Sequence, residues 1–206
     1  LTDDWVAGQG LRILPDYGWR CGDYSYYALR AAHPGYDHYW LIEPDVWFSA
    51  DPAPFFAAVA QAPEDLLAVQ IAPMEAGHRF ARGLDGMALY KSIFALNRFS
   101  GRALDRLFDL RRAYSAGPVG ARFFANDEVF CFSHVLADPD LTAADFSAYA
   151  PVWFDPLNVA NDPDILLDLA QAQGGGASVF HPVRGRGSFC RARAARMSHQ
   201  LGFVAK

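Results

Sequence analysis

Tyr39-Trp40-Leu41-Ile42-Glu43-Pro44-Asp45-Val46 is the stretch on which the reading of this chain turns. An apolar run climbs into two acids spaced one residue apart and then meets a turn. Trp40 to Ile42 are apolar without alternation, the pattern of a strand covered on both faces. Pro44 cannot donate a ladder hydrogen bond, so the strand is expected to stop near it. Glu43 and Asp45 would then stand at the strand's C-terminal edge, where open α/β sheets bind ligands. The same pattern also describes a plain strand followed by an acidic turn.

Working outward, a helix is expected from Gly22, with Asp23 as N-cap or first-turn acid and His33-Pro34-Gly35 as its stop. Beyond the strand, Pro52 and Pro54 suit the first turn of a helix over 53–61. Leu66–Ala72 and Ser92–Leu96 read as strands. Residues 73–88 read as a long loop. Ser100 offers an N-cap for a helix over 101–114, with Leu104, Leu107, Phe108 and Leu110 as its core stripe. Asn126 does the same for 127–136. A short helix is expected near 143–149 and another over 165–173, stopped by Gly174-Gly175-Gly176. Ser178–Phe180 reads as a last strand that delivers His181-Pro182. Leu11–Leu14 reads as a short extended piece. Alternating helices and strands predict one α/β domain over 1–206, with a mostly parallel sheet flanked by helices.

Composition bounds the function. The chain has 206 residues, 52% of them apolar and 20% charged, as in a globular protein with a sizeable core. A net charge of −5 argues against nonspecific nucleic-acid binding. No apolar run is long enough to span a membrane. Three widely spaced cysteines (Cys21, Cys131, Cys190) form no CxxC pair, which argues against a structural zinc site and makes a reducing cytoplasm the simplest compartment.

Three constellations can carry chemistry. Glu43-x-Asp45 can hold a hard divalent cation with one acid while the other bonds a sugar or ribose hydroxyl. Asn126-Asp127-Glu128 places two acids at a helix N-terminus, either as capping groups or as a base that accepts a proton from a hydroxyl. His181, at a strand end, can complete a Mn²⁺ or Mg²⁺ shell if the chain folds it toward Asp45. From Arg184 onward there are six basic residues and no acid. Arginines there can cover diphosphate oxygens, or the segment is a solvated tail.

Trp19-Arg20-Cys21-Gly22-Asp23-Tyr24, followed by Tyr36-Asp37-x-Tyr39-Trp40-Leu41-Ile42-Glu43-Pro44-Asp45-Val46, resembles bacterial glycosyltransferase-like proteins of the GT-A fold. The likeness spans roughly residues 19–190, and its specific part is 19–46. It implies that Glu43-Pro44-Asp45 is the D-x-D-type motif, with Glu where the pattern has Asp. It implies Asp45 and His181 as metal ligands. Gly22, Asp23, Tyr24, Glu43 and Arg184 would contact the nucleotide sugar, and Asp127 or Glu128 would be the acceptor base. Residues 1–18 are shorter than the β-α-β unit that opens such folds, so that unit is expected to precede this stretch or to be lacking. The implied function is a metal-dependent glycosyltransferase moving sugar from a nucleotide-sugar donor to a hydroxyl acceptor. The alternatives are a non-catalytic nucleotide- or carbohydrate-binding module and a metal-dependent phosphoester hydrolase.

Overall fold

The computed structural model describes residues 1–75, 77–78, 80–84, 86–155, 158–160, 164–173 and 176–200, with the backbone alone at 82, 173 and 195–200. The expected stop at Gly174-Gly175, the Arg196 side chain and Lys206 lie outside the described residues. In chain order the elements are α1 (Asp3–Gly8), α2 (Tyr17–Arg20), α3 (Asp23–Ala32), β1 (His38–Ile42), β2 (Trp47–Phe48), α4 (Ala53–Val59) and β3 (Leu66–Pro73). They continue with β4 (Tyr90–Ser100), α5 (Gly101–Ala116), α6 (Asp127–Ala137), β5 (Ala143–Asp145) and β6 (Ile165–Leu166). The last are α7 (Leu167–Gln173), β7 (Val179–Phe180), β8 (Val183–Arg184) and α8 (Arg186–Gln200). Contacts cluster into two compact units, 1–42 with 62–148 and 43–61 with 149–206. The division falls inside the opening stretch, between Ile42 and Glu43.

The first unit is built on a four-stranded sheet in the order β1-β4-β3-β5. β1 and β3 both run antiparallel to β4, and only β5 runs parallel to its neighbour β3. The class is α/β, but the sheet is mixed, which corrects the mostly parallel sheet expected from the alternation of elements. The correction has a local cause. β3 and β4 are joined by the 74–89 loop, whose described residues hold a single 3₁₀ turn and no crossover helix, and β4 returns alongside β3 instead of crossing over. β1 is also not a strand covered on both faces. It is an edge strand with Tyr39 buried, Trp40 and Leu41 half-buried and Ile42 exposed. Its unbroken apolar run arises because Trp40 stacks on Phe146 at 5.5 Å on one face while Tyr39 enters the core on the other.

β4 is the central strand and is buried over most of its eleven residues. It runs directly into α5, where the Ser100 side chain accepts the Ala103 N–H and caps the helix. The expected α5 stripe is buried at Leu104 and Leu107 and half-buried at Phe108 and Leu110, and Arg111 lies on it too. β3 carries register shifts on either side of Val69. There Gln70 takes a positive φ of 54° and its N–H is accepted by Asp145 of β5, so a β5 side chain satisfies the backbone that the bulge frees. The short helix expected near 143–149 is instead β5 followed by a 3₁₀ turn. Pairing with β3 overrides the helical propensity of the Ala143-Ala144 pair there. Leu11–Leu14 forms no strand, and α1, capped by Thr2, precedes it.

The second unit is smaller and aromatic. Phe48, Phe55 and Trp153 meet edge to face or tilted at 5.5–5.9 Å, and Trp47 packs on Phe180 at 5.5 Å. β2 pairs antiparallel with β7, and β6 pairs parallel with β8. The helix expected over 165–173 begins two residues late because Ile165 and Leu166 are held in β6. No helix among the described residues is long and apolar enough to cross a membrane.

Candidate metal centre

Register makes the site. Trp47 lies opposite Phe180 and Phe48 opposite Val179 in the β2–β7 pair. The chain before Trp47 and the chain after Phe180 therefore run side by side. The Asp45 carbonyl accepts the Val183 N–H at 2.8 Å, which closes this extension. The turn after β1 is held by the Val46 N–H on the Glu43 carbonyl at 3.0 Å. On the other side of the same segment, the His181 N–H donates to the Asn158 carbonyl at 2.9 Å and the His181 carbonyl accepts the Ala160 N–H at 3.0 Å. Backbone bonds thus fix His181 from both flanks.

The side chains converge. His181 Nε2 stands 3.6 Å from a Glu43 carboxylate oxygen and 3.6 Å from an Asp45 oxygen. One ligand atom from each residue lies within 4.8 Å of the other two, and this is the one such trio among the described residues. His181 Nδ1 lies 2.8 Å from the Ala160 carbonyl. A carbonyl only accepts, so Nδ1 carries a proton, and Nε2 is the nitrogen turned toward the two acids. Between two carboxylates, Nε2 can ligate a divalent cation or, when protonated, donate to either acid. Two carboxylates and one imidazole form a hard-to-borderline donor set suited to Mn²⁺ or Mg²⁺, and the carbonyl on Nδ1 is the outer-shell partner that ligating histidines use. The trio is graded from interior to surface: His181 is 7% exposed, Asp45 23% and Glu43 45%. One side of the cluster is therefore open to solvent. Arg184 is beside it, with Nη2 3.6 Å from Asp45 and Nε bonded to Asp164. That bond holds the guanidinium firmly in its charged form.

The other expected site residues belong to the first unit. Asp23 is 1% exposed, ion-paired with Arg111 at 2.6 Å and bonded by the Tyr27 hydroxyl at 3.0 Å. Tyr24 is fully buried. Gly22 donates its N–H to Asp127 at 2.6 Å, and a side chain at Gly22 would collide with that carboxylate. Asp127 is itself buried, and its second oxygen accepts the Glu128 N–H. Burial, with help from the charges of Asp23 and Glu128, pushes its carboxyl well above the usual carboxylate range. Glu128 is half-buried and accepts from the Asn126 amide at 3.1 Å. Burial pushes the Cys21 thiol up to about 12, which makes it inert as a nucleophile.

Sequence reasoning missed Asp164 and Arg111. Asp164 sits in a Pro-, Asp- and Asn-rich stretch where no spacing singles it out. Arg111 had a signal, since it lies four and seven residues past Leu107 and Leu104, on the buried stripe of α5. No family model, curated protein or solved structure matches the chain.

Proposed function

We propose that this protein is a metal-dependent glycosyltransferase of GT-A type that uses a nucleotide-sugar donor. The observation that carries the reading is the convergence of Glu43, Asp45 and His181, from positions far apart in the chain, on one open-sided cluster with Arg184 beside it. Asp45, Glu43 and His181 would hold the divalent cation, which would supply positive charge to offset that of a departing diphosphate. Arg184 donates to the same class of oxygens, and its planar fork suits them. Of the two residues expected to deprotonate the acceptor, Asp127 is buried with both oxygens engaged by the Gly22 and Glu128 N–H groups, which argues against it as a base.

The test is a thermal-shift panel with UDP, GDP and CMP, each with and without Mn²⁺, run on the protein and on Asp45→Asn and His181→Ala. We expect one nucleotide to stabilise the protein in a Mn²⁺-dependent way, and either substitution to abolish that shift. An absence of any metal-dependent shift would sink the metal reading.

The burial of Asp127 favours a second reading, a nucleotide- or carbohydrate-binding module without turnover. Metal-dependent binding without release of nucleoside diphosphate from any nucleotide sugar would select it. A phosphoester hydrolase is less well supported, since two-metal phosphoryl chemistry asks for a second ligand group beside the first.

A further inference from the structure

We propose that Asp164 is a positioning residue. It aims Arg184 at an anionic substrate group of the phosphate class, seated beside the Glu43–Asp45–His181 cluster. The inference rests on the metal reading above.

Arg184 is 36% exposed, and the carboxylate that holds it has no exposed side-chain surface at all. Burying a carboxylate is unfavourable by several kcal/mol before pairing is counted. An arginine that only needed to be soluble on a surface would require no such partner. What the buried acid achieves is orientation. It bonds Nε, the inner nitrogen of the guanidinium, at 2.5 Å. Nη2 stands 3.6 Å from Asp45, beyond hydrogen-bond distance, so the outer edge of the fork keeps donors for an incoming anion. The backbone enforces the pairing: β6 and β8 run parallel with Leu166 opposite Arg184, and Asp164 immediately precedes β6.

Asp164 also lines a cleft of about 590 Å³ together with Asp155, Asn158, Ser178, Phe180 and Phe189. That volume and mixture of polar groups with aromatic faces suit the organic body of a phosphorylated molecule. Charge sets the order of binding. Asp45 and Asp164 face one guanidinium, and Glu43 adds a further negative charge to the trio, so the anion enters only after a divalent cation has offset the carboxylates.

The experiment is calorimetric titration of the whole chain with Mn²⁺ alone and then with inorganic pyrophosphate, with and without saturating Mn²⁺. Wild type should bind pyrophosphate only with Mn²⁺ present. Asp164→Asn should leave the Mn²⁺ affinity within about threefold while weakening pyrophosphate by about tenfold or more, close to 1.4 kcal/mol. Arg184→Lys keeps the charge that pairs with Asp164 but lacks the fork, so it should fold with a near-native melting temperature and lose pyrophosphate affinity to a similar degree. Asp164→Asn combined with Arg184→Lys should lose little more than either alone, since both act through one guanidinium. A merely structural Asp164 would instead weaken Mn²⁺ and pyrophosphate binding together. If Asp164→Asn does not fold, Arg184→Lys decides. Wild-type pyrophosphate affinity in Arg184→Lys, or Mn²⁺ binding without pyrophosphate binding in the wild type, overturns this inference alone. Failure of the wild type to bind Mn²⁺ overturns the metal reading and this inference with it.

Discussion

Arg111 places a guanidinium at 0% exposure in the core of the first unit, and everything around it answers that charge. Asp23 pairs with its Nε at 2.6 Å, the Ala125 carbonyl accepts from Nη1 at 2.9 Å, and the guanidinium carbon lies 3.7 Å from the Phe130 ring centroid. Removing one partner leaves the other charge buried and alone. Asp23→Ala or Arg111→Ala should therefore destabilise the protein by about 3–5 kcal/mol. Replacing the pair together, Asp23→Leu with Arg111→Met, should recover most of that loss, because two apolar side chains need no compensation. Urea unfolding of the singles and the double as one cycle checks this; additive losses in the double would refute it. The family resemblance implies Asp23 as a nucleotide contact, but its side chain is buried in a core that only the tertiary fold supplies.

At the scale of elements, the β4–α5 junction shows how one side chain serves two ends. The Ser100 hydroxyl accepts the Ala103 N–H at the start of α5 and donates to Asp65 at 2.6 Å, just before β3. Ser100→Ala should lose about 1–2 kcal/mol, more than an isolated cap, because a buried carboxylate loses a donor as well. Ser100→Thr should keep most of the stability, and chemical denaturation of both variants separates the cap from mere side-chain volume. An Ala variant as stable as the wild type would show that the helix start is held elsewhere. This cap was legible in the sequence, since Ser before an apolar periodic run is a local signal. The β5 strand was not, because residues 143–145 carry no strand pattern and are extended only through pairing with β3.

At the scale of the whole molecule, two buried acids give stability opposite dependences on pH. Burial would raise Asp65, but bonds from Arg102, Ser100 and Thr142 overcome it and hold the carboxyl at about 2. The folded value lies below the unfolded value of ~3.9. Asp65 therefore contributes stability in full above about pH 4, and the contribution is lost as pH falls toward 2. Arg102 is 62% exposed, so solvent screens its share of the effect. Asp127 has the reverse sign. Its folded value is raised by burial, so its contribution is present below about pH 4 and is lost as pH climbs above that. Melting temperatures across pH 2–8 should show both limbs. Asp65→Asn should flatten the acid limb, and Asp127→Asn the limb above pH 4. An unchanged profile in either variant would contradict the assignment.

The opening stretch marks what the sequence determined by itself. The strand ending at Ile42, the turn at Pro44, the helix from Asp23 and the cap at Ser100 follow from apolar runs, proline and capping chemistry, which act over a few residues. Glu43, Asp45 and His181 were also visible as residue types able to ligate a metal. Their approach was not, since it depends on a two-residue strand pair joining Trp47 to Phe180 across more than a hundred residues. The sheet's direction was likewise a tertiary outcome. An unbroken apolar run fits a parallel interior strand and an antiparallel edge strand stacked on Phe146 equally well, and only its neighbours distinguish them. The same limit governs charge. Whether Asp127, Asp23 or Asp164 meets solvent or core is set by what packs against it, and that is decided by the fold, which also seats Asp164 behind Arg184.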